Sequence, residues 1–146
     1  MKRTKRNILP AVLIAAAAVM ALAALLIRLS DAGPDASTRE GRQAFLAGLG
    51  WEIEPDSEEL KTVLIPDCSE GVMADYNALQ RSQGYDLSGW EGKTCTQVSY
   101  RVTNYPGYDQ TVYVTLYITG KRVIAGDVHS AALNGFMHGL TRSAGV

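Results

Sequence analysis

Thr111–Thr119 reads TVYVTLYIT. Val112, Val114, Leu116 and Ile118 alternate without a break with Thr111, Tyr113, Thr115, Tyr117 and Thr119. A period of two marks a β-strand with one apolar face, and β-branched and aromatic side chains suit it. Gly120-Lys121 follows as a tight-turn pair, and Arg122–Val128 (RVIAGDV) returns as the next strand. Upstream, beyond the loop Asn104–Gln110 (NYPGYDQ), Thr96, Val98, Tyr100 and Val102 alternate with Gln97, Ser99 and Arg101. The expectation is three antiparallel strands in a meander.

Further out the periods change. Ser37-x-x-Glu40 fits a capping box opening a helix over 38–48, with Phe45 and Leu49 on one face. Trp51–Glu54 (WEIE) and Leu60–Ile65 (LKTVLI) read as two short strands, paired as a hairpin or lying side by side. Ser69 or Asp67 caps a second helix over 70–83, and its stripe of Val72, Met73, Tyr76 and Leu79 reads as core. Tyr85–Lys93 is an irregular loop around Trp90. Ser130–Leu140 (SAALNGFMHGL) is apolar but interrupted by Gly135 and Gly139, and reads as a short or irregular helix. The fold class is therefore α+β: an antiparallel sheet of about five strands packed by two to three helices, with the helices on one face.

The first 28 residues differ from the rest. Asn7–Ile27 carries no charge and is rich in Ala, Leu, Ile and Val. Ile8–Ile27 as a helix is about 30 Å long, the thickness of a bilayer core. Lys2, Arg3, Lys5 and Arg6 precede it and Arg28 follows it. The excess of positive charge in front predicts a single-pass signal anchor in the cell membrane, with the C-terminal body outside the cytoplasm. A cleaved signal peptide is the competing reading, but its apolar region is shorter, about 7–15 residues. The expected organisation is a basic tip and anchor over 1–28, a linker over 29–37 (LSDAGPDA and Ser37), and an extracytoplasmic domain over 38–146.

The net charge of −1 hides an asymmetry. From position 29 onward nine basic residues face all 15 acidic ones, a net of −6. An acidic body disfavours nucleic acid as a partner, because phosphates need a basic face.

Four stretches carry a family resemblance: Phe45–Pro55 (FLAGLGWEIEP), Tyr76–Lys93 (YNALQRSQGYDLSGWEGK), Tyr100–Gly107 (YRVTNYPG) and Arg122–Leu140 (RVIAGDVHSAALNGFMHGL). Together they resemble an uncharacterised bacterial family of small membrane-anchored proteins, domain of unknown function 4830. The resemblance implies one span and one extracytoplasmic domain. It carries over no catalytic residue, and function stays open.

The residues themselves offer few chemical groups. Asp127, His129, Ser130 and His138 form the one cluster that suggests a hydrolase or a metal enzyme. However, the two His are nine apart and Ser130 lacks a Gly-x-Ser-x-Gly elbow. The competing reading is a polar edge where a strand meets a helix. No motif for a cofactor or a resident metal is present. Cys68 and Cys95 are the only cysteines, with no Cys-x-x-Cys. A bridge between them would close a loop of 28 residues, worth about 3.5 kcal/mol in the chain-entropy account. Two separate buried thiols are the alternative. Tyr113, Tyr117, Trp90 and Tyr105 are the candidate binding residues, against the plainer reading of loop aromatics plugging the core. The first expectation is a non-enzymatic binding or interaction module of the envelope, meeting another envelope protein or a small ligand. A structural partner in a membrane complex is also open, although the span has no Gly-x-x-x-Gly.

Overall fold

The computed structural model describes residues 33–142. The expected span Ile8–Ile27 lies outside the described residues. Among those described, no helix is long and apolar enough to cross a membrane. The elements are α1 (Arg39–Gly48), a 3₁₀ turn (Pro55–Ser57), β1 (Glu59–Leu64), α2 (Gly71–Ser82), a 3₁₀ turn (Leu87–Trp90), β2 (Thr94–Val102), β3 (Val112–Thr119), β4 (Arg122–Ser130) and β5 (Met137–His138). The five strands form one sheet in the order β1-β2-β3-β4-β5, every pair antiparallel. The α+β class and the three-strand meander stand as expected.

Strand parity divides the sheet into two differently covered faces. Val98, Tyr100, Val114, Leu116 and Val128 point to one face and pack with Leu46 of α1, Trp51 and Leu140. Cys95, Tyr117 and Ala125 point to the other, with Ile65, Leu87 and the α2 residues Met73 and Tyr76. The helices therefore cover opposite faces, which corrects the expectation that both share one. In β4 the register slips by one residue, since Tyr117 faces Ala125 while Ile118 faces Val123. This bulge lets Ile124 and Ala125 both enter the α2-side cluster.

The N-terminal end of the domain is held by a buried arginine. Arg42 donates to the carbonyls of Ala36 and Ser37, to Tyr100 Oη and to Glu58 Oε2 at 3.0–3.2 Å. Tyr100 Oη also bonds Glu58. Burial, followed by the Glu58 carboxylate, pushes the Tyr100 phenol up to about 12. Ala36 is 1% exposed and its N–H donates to Lys121 O. Part of the expected linker is thus structural, and the folded unit begins at Pro34. The helix cap is Thr38, whose Oγ1 accepts Gly41 N–H, rather than Ser37, which bonds Asp35.

Three other expectations are corrected. Trp51–Glu54 is no strand: only Ile53 bridges, to Val102. Its supposed partner β1 pairs with β2 instead. Ser130–Leu140 is no helix. Ser130 N–H donates to Phe136 O, closing a turn into β5, and a Cβ on Gly135 would lie 2.2 Å from Ser130 O. Finally, α2 starts without a side-chain cap, because Asp67 spends its carboxylate on Ser69 N–H.

The stripe assigned to the core of α2 is met in part: Met73 and Tyr76 pack against the second cluster, but Val72 does not. Val72 is 84% exposed, whereas Asn77 and Gln80 are buried. Gln80 Oε1 accepts Gly126 N–H at 2.9 Å, and Gln83 Nε2 donates to Gly126 O at 3.0 Å. Asn77 bonds Asp86 and accepts Leu87 N–H. The polar side of α2 thus docks on backbone, and its apolar side is left partly uncovered. Gly126 has no room for a side chain, since a Cβ would stand 2.7 Å from Thr115 O.

Two substitutions test this docking. Gln80→Ala leaves a buried N–H unpaired and should lower stability by about 1–3 kcal/mol. Gly126→Ala overpacks the same place and should lower it by about 1–3 kcal/mol. Urea unfolding of the full chain in detergent, followed by circular dichroism, should show both midpoints falling. An unchanged midpoint for both would show that the docking contributes nothing.

Candidate functional site

Between the uncovered side of α2 and the sheet lies a cleft of about 610 Å³. Val72, Met73, Tyr76 and Leu79 roof it, and Val63, Leu64 and Ile65 line the β1 end. Gln97, Thr115, Tyr117, Asp127 and His129 form its floor, with Met137 of β5 at the far rim. Leu64, Val72 and Met137 are 61%, 84% and 53% exposed, so the rim is apolar and open to solvent.

The floor is polar and internally bonded. It follows from register: Gln97 faces Tyr117, Ser99 faces Thr115, Thr115 faces Asp127 and Tyr113 faces His129. Residues that face each other across a strand pair share one side of the sheet. Asp127 is 2% exposed. Its carboxylate accepts Tyr76 Oη–H at 2.6 Å and is bonded to His129 Nδ1 at 2.7 Å. A buried carboxylate needs such partners. Gln97 Nε2 donates to Tyr117 Oη, and Ser99 and Thr115 share a hydrogen bond. Burial, and then the Asp127 charge, pushes the Tyr76 and Tyr117 phenols up. The Asp127 hydrogen bond raises the His129 imidazole, and burial opposes it. Tyr113 stacks on the His129 ring with centroids 5.8 Å apart. Among the described residues His129 Nε2 has no protein partner; with Nδ1–H committed to the Asp127 carboxylate, Nε2 accepts from the neutral ring and donates from the protonated one.

The structure sorts the sequence candidates into two groups. Tyr113, Tyr117, Asp127 and His129 come together on the cleft side. Tyr105 and His138 lie on the opposite face, in a stack with Trp51 and Phe136, where Tyr105 Oη bonds His138 Nε2. Ser130 is on that face too and bonds Tyr108 Oη. An enzyme site built from Asp127, His129 and His138 is therefore excluded by parity: His138 pairs with Val128, and it is Met137 that pairs with His129. Among the described residues no three His, Cys, Asp or Glu side chains are placed to hold a metal ion. Trp90 packs beside the cysteine cluster under Lys93 rather than in the cleft, so it plugs its loop. The sequence reading missed Tyr76, Gln97 and Met137. The signal for Gln97 and Met137 was strand parity, which needs the register to be used.

Cys68 and Cys95 are free thiols, both buried in one cluster with Ile65 and Leu87. The Cys68 thiol donates to Pro66 O. Burial pushes both thiols up, which makes them poor nucleophiles. The bridge weighed from the sequence is not formed here. Intact mass after denaturing alkylation without reductant should show two adducts; none on freshly isolated protein would show that the two are joined.

His129 also makes a pH prediction. Its folded pKa lies above the unfolded value of about 6.5, so its stabilisation is complete below that pH and is lost as pH rises through the folded value. Thermal unfolding should therefore weaken from pH 6 upward in the natural chain, and His129→Gln should remove this part of the slope. An identical slope in both proteins would refute the coupling.

No curated protein and no solved structure is significantly similar to the chain. One family model, that of a domain of unknown function (DUF4830), matches residues 45–128, which take in everything from the end of α1 to the floor residue Asp127. The chain belongs to the DUF4830 family.

Proposed function

We propose that this protein is a binding module of the bacterial cell envelope, anchored by Ile8–Ile27 with its domain outside the cytoplasm, and that the cleft under α2 is its binding site. One observation carries this reading. A helix held through polar side chains at Gly126 and the Leu87 turn leaves an apolar cleft between its other side and the sheet, and the floor holds a hydrogen-bonded Asp127–His129 pair with one ring nitrogen unused. Sites for small ligands have this composition and a volume of about 300–1,000 Å³. The charge asymmetry around the N-terminal segment supports the placement outside the cytoplasm.

Two measurements test the two halves. Protease added to intact spheroplasts should digest the body; protection until lysis would overturn the placement. A photoreactive amino acid at Val72 or Met137 of the full chain, irradiated in cells, should gain an adduct seen by intact mass. The same residue at Leu133, fully exposed and outside the cleft, should gain none. Equal behaviour at all three positions would overturn the cleft as the site.

A further inference from the structure

We infer that the cleft takes a single acyl chain joined to its head group through an uncharged ester or amide, drawn from the adjacent membrane. This deepens the binding-module reading and rests on it.

The cleft has a direction. Its β1 end is lined by Val63, Leu64, Ile65 and Leu87, all apolar. Its β4 end holds His129 and Asp127. From β1 to β4 is three strand spacings, about 14 Å, room for an extended chain. A chain lying there with its tail at β1 brings the polar atoms at the start of its head group to His129 Nε2. The remaining head group leaves past the half-exposed Met137.

Charge selects the head group. Asp127 and Asp75 of α2 are the acids of the lining, and His129, its one group able to carry a positive charge, is already bonded to Asp127. No cation is left over. A free carboxylate would bring an unpaired negative charge into an apolar cleft beside two acids, which costs several kcal/mol of desolvation. An ester or amide brings no charge, and the hydroxyl or N–H groups beside its carbonyl can donate to Nε2 of the neutral ring. A ligand with a cationic head would find Asp127 already occupied by Tyr76 and His129.

The tether supplies the occupant. Between Arg28 and Pro34 lie five residues, Leu29–Gly33, which span at most about 20 Å when fully extended. An anchored domain therefore stays within reach of the outer leaflet, where acyl chains in ester linkage are the abundant apolar groups. A soluble peptide would have to be captured from dilute solution.

The test uses the full chain reconstituted in phosphatidylcholine vesicles. Two photoreactive probes are compared at pH 8: a lauroyl monoglyceride and lauric acid, each with a diazirine near the chain end. Mapped by mass spectrometry, the monoglyceride should label 63–66 and Leu79. The acid should label these positions less by about tenfold or more, as expected for an unpaired charge in an apolar site. Both should label Ile8–Ile27 equally. His129→Leu should lose the labelling by monoglyceride, and His129→Gln, which keeps an uncharged hydrogen-bonding group, should retain it. Val72→Trp at the exposed rim narrows the cleft without entering the core and should also reduce it. Equal or stronger cleft labelling by the acid would overturn the inference and leave the binding-module reading standing. Label on the span with none in the cleft from either probe would overturn the inference, and adduct formation at Val72 and Met137 in cells then decides the broader reading separately.

Discussion

Gly126 is the point on which the architecture turns. β5 pairs with β4 only at Val128 and His129, so the outer edge of β4 is bare one step earlier. An unpaired backbone group at that depth would be costly. Gln80 and Gln83, one helical turn apart on α2, supply the missing acceptor and donor. Gln83 also accepts Leu140 N–H, so the C-terminal segment is drawn into the same junction. Two amide side chains stand in for a strand. Because they fix α2 by its polar side, the apolar side is turned toward the sheet at a distance, and a cleft remains where a fully docked helix would have left none.

The floor of that cleft is consistent with the same logic of satisfied polar groups. A carboxylate at the depth of Asp127 survives because an imidazole and a phenol, from β4 and α2, both bond to it. Replacing either partner leaves charge without compensation, so the three residues form a unit. Tyr76 thus does two things: it roofs the cleft and ties the middle of α2 to β4, while Gln80 and Gln83 tie its end.

Strand periodicity made β2, β3 and β4 legible, since Val112, Val114, Leu116 and Ile118 leave no second reading. Tyr113 and Tyr117 share a face opposite Val114 and Leu116 as their alternation requires, but that face carries a second core cluster against which Tyr117 packs; Asp127 and His129 were singled out. Pairing was less legible. WEIE alternates as well as a strand does, yet β2 takes LKTVLI as its neighbour and leaves Ile53 a single bridge. Amphipathicity misled for α2, because the rule that apolar stripes face the core presumes that polar side chains prefer water. Asn77, Gln80 and Gln83 have better partners in the backbone of β4 and of the Leu87 turn. His138 looked like a companion to His129 because nine residues of sequence carry no information on parity across a turn.

The Arg42 cluster has a mechanical consequence. Tension carried by the chain ahead of Pro34 enters the domain at Asp35–Ser37, where the carbonyls of Ala36 and Ser37 are gripped by Arg42, Ala36 N–H by Lys121 O, and Asp35 by the Lys121 ammonium at 3.1 Å. Arg42 passes the load to Glu58 and Tyr100, hence to the middle of β2. The pull is thus spread over several bonds that must break together, rather than peeled from one end of a helix.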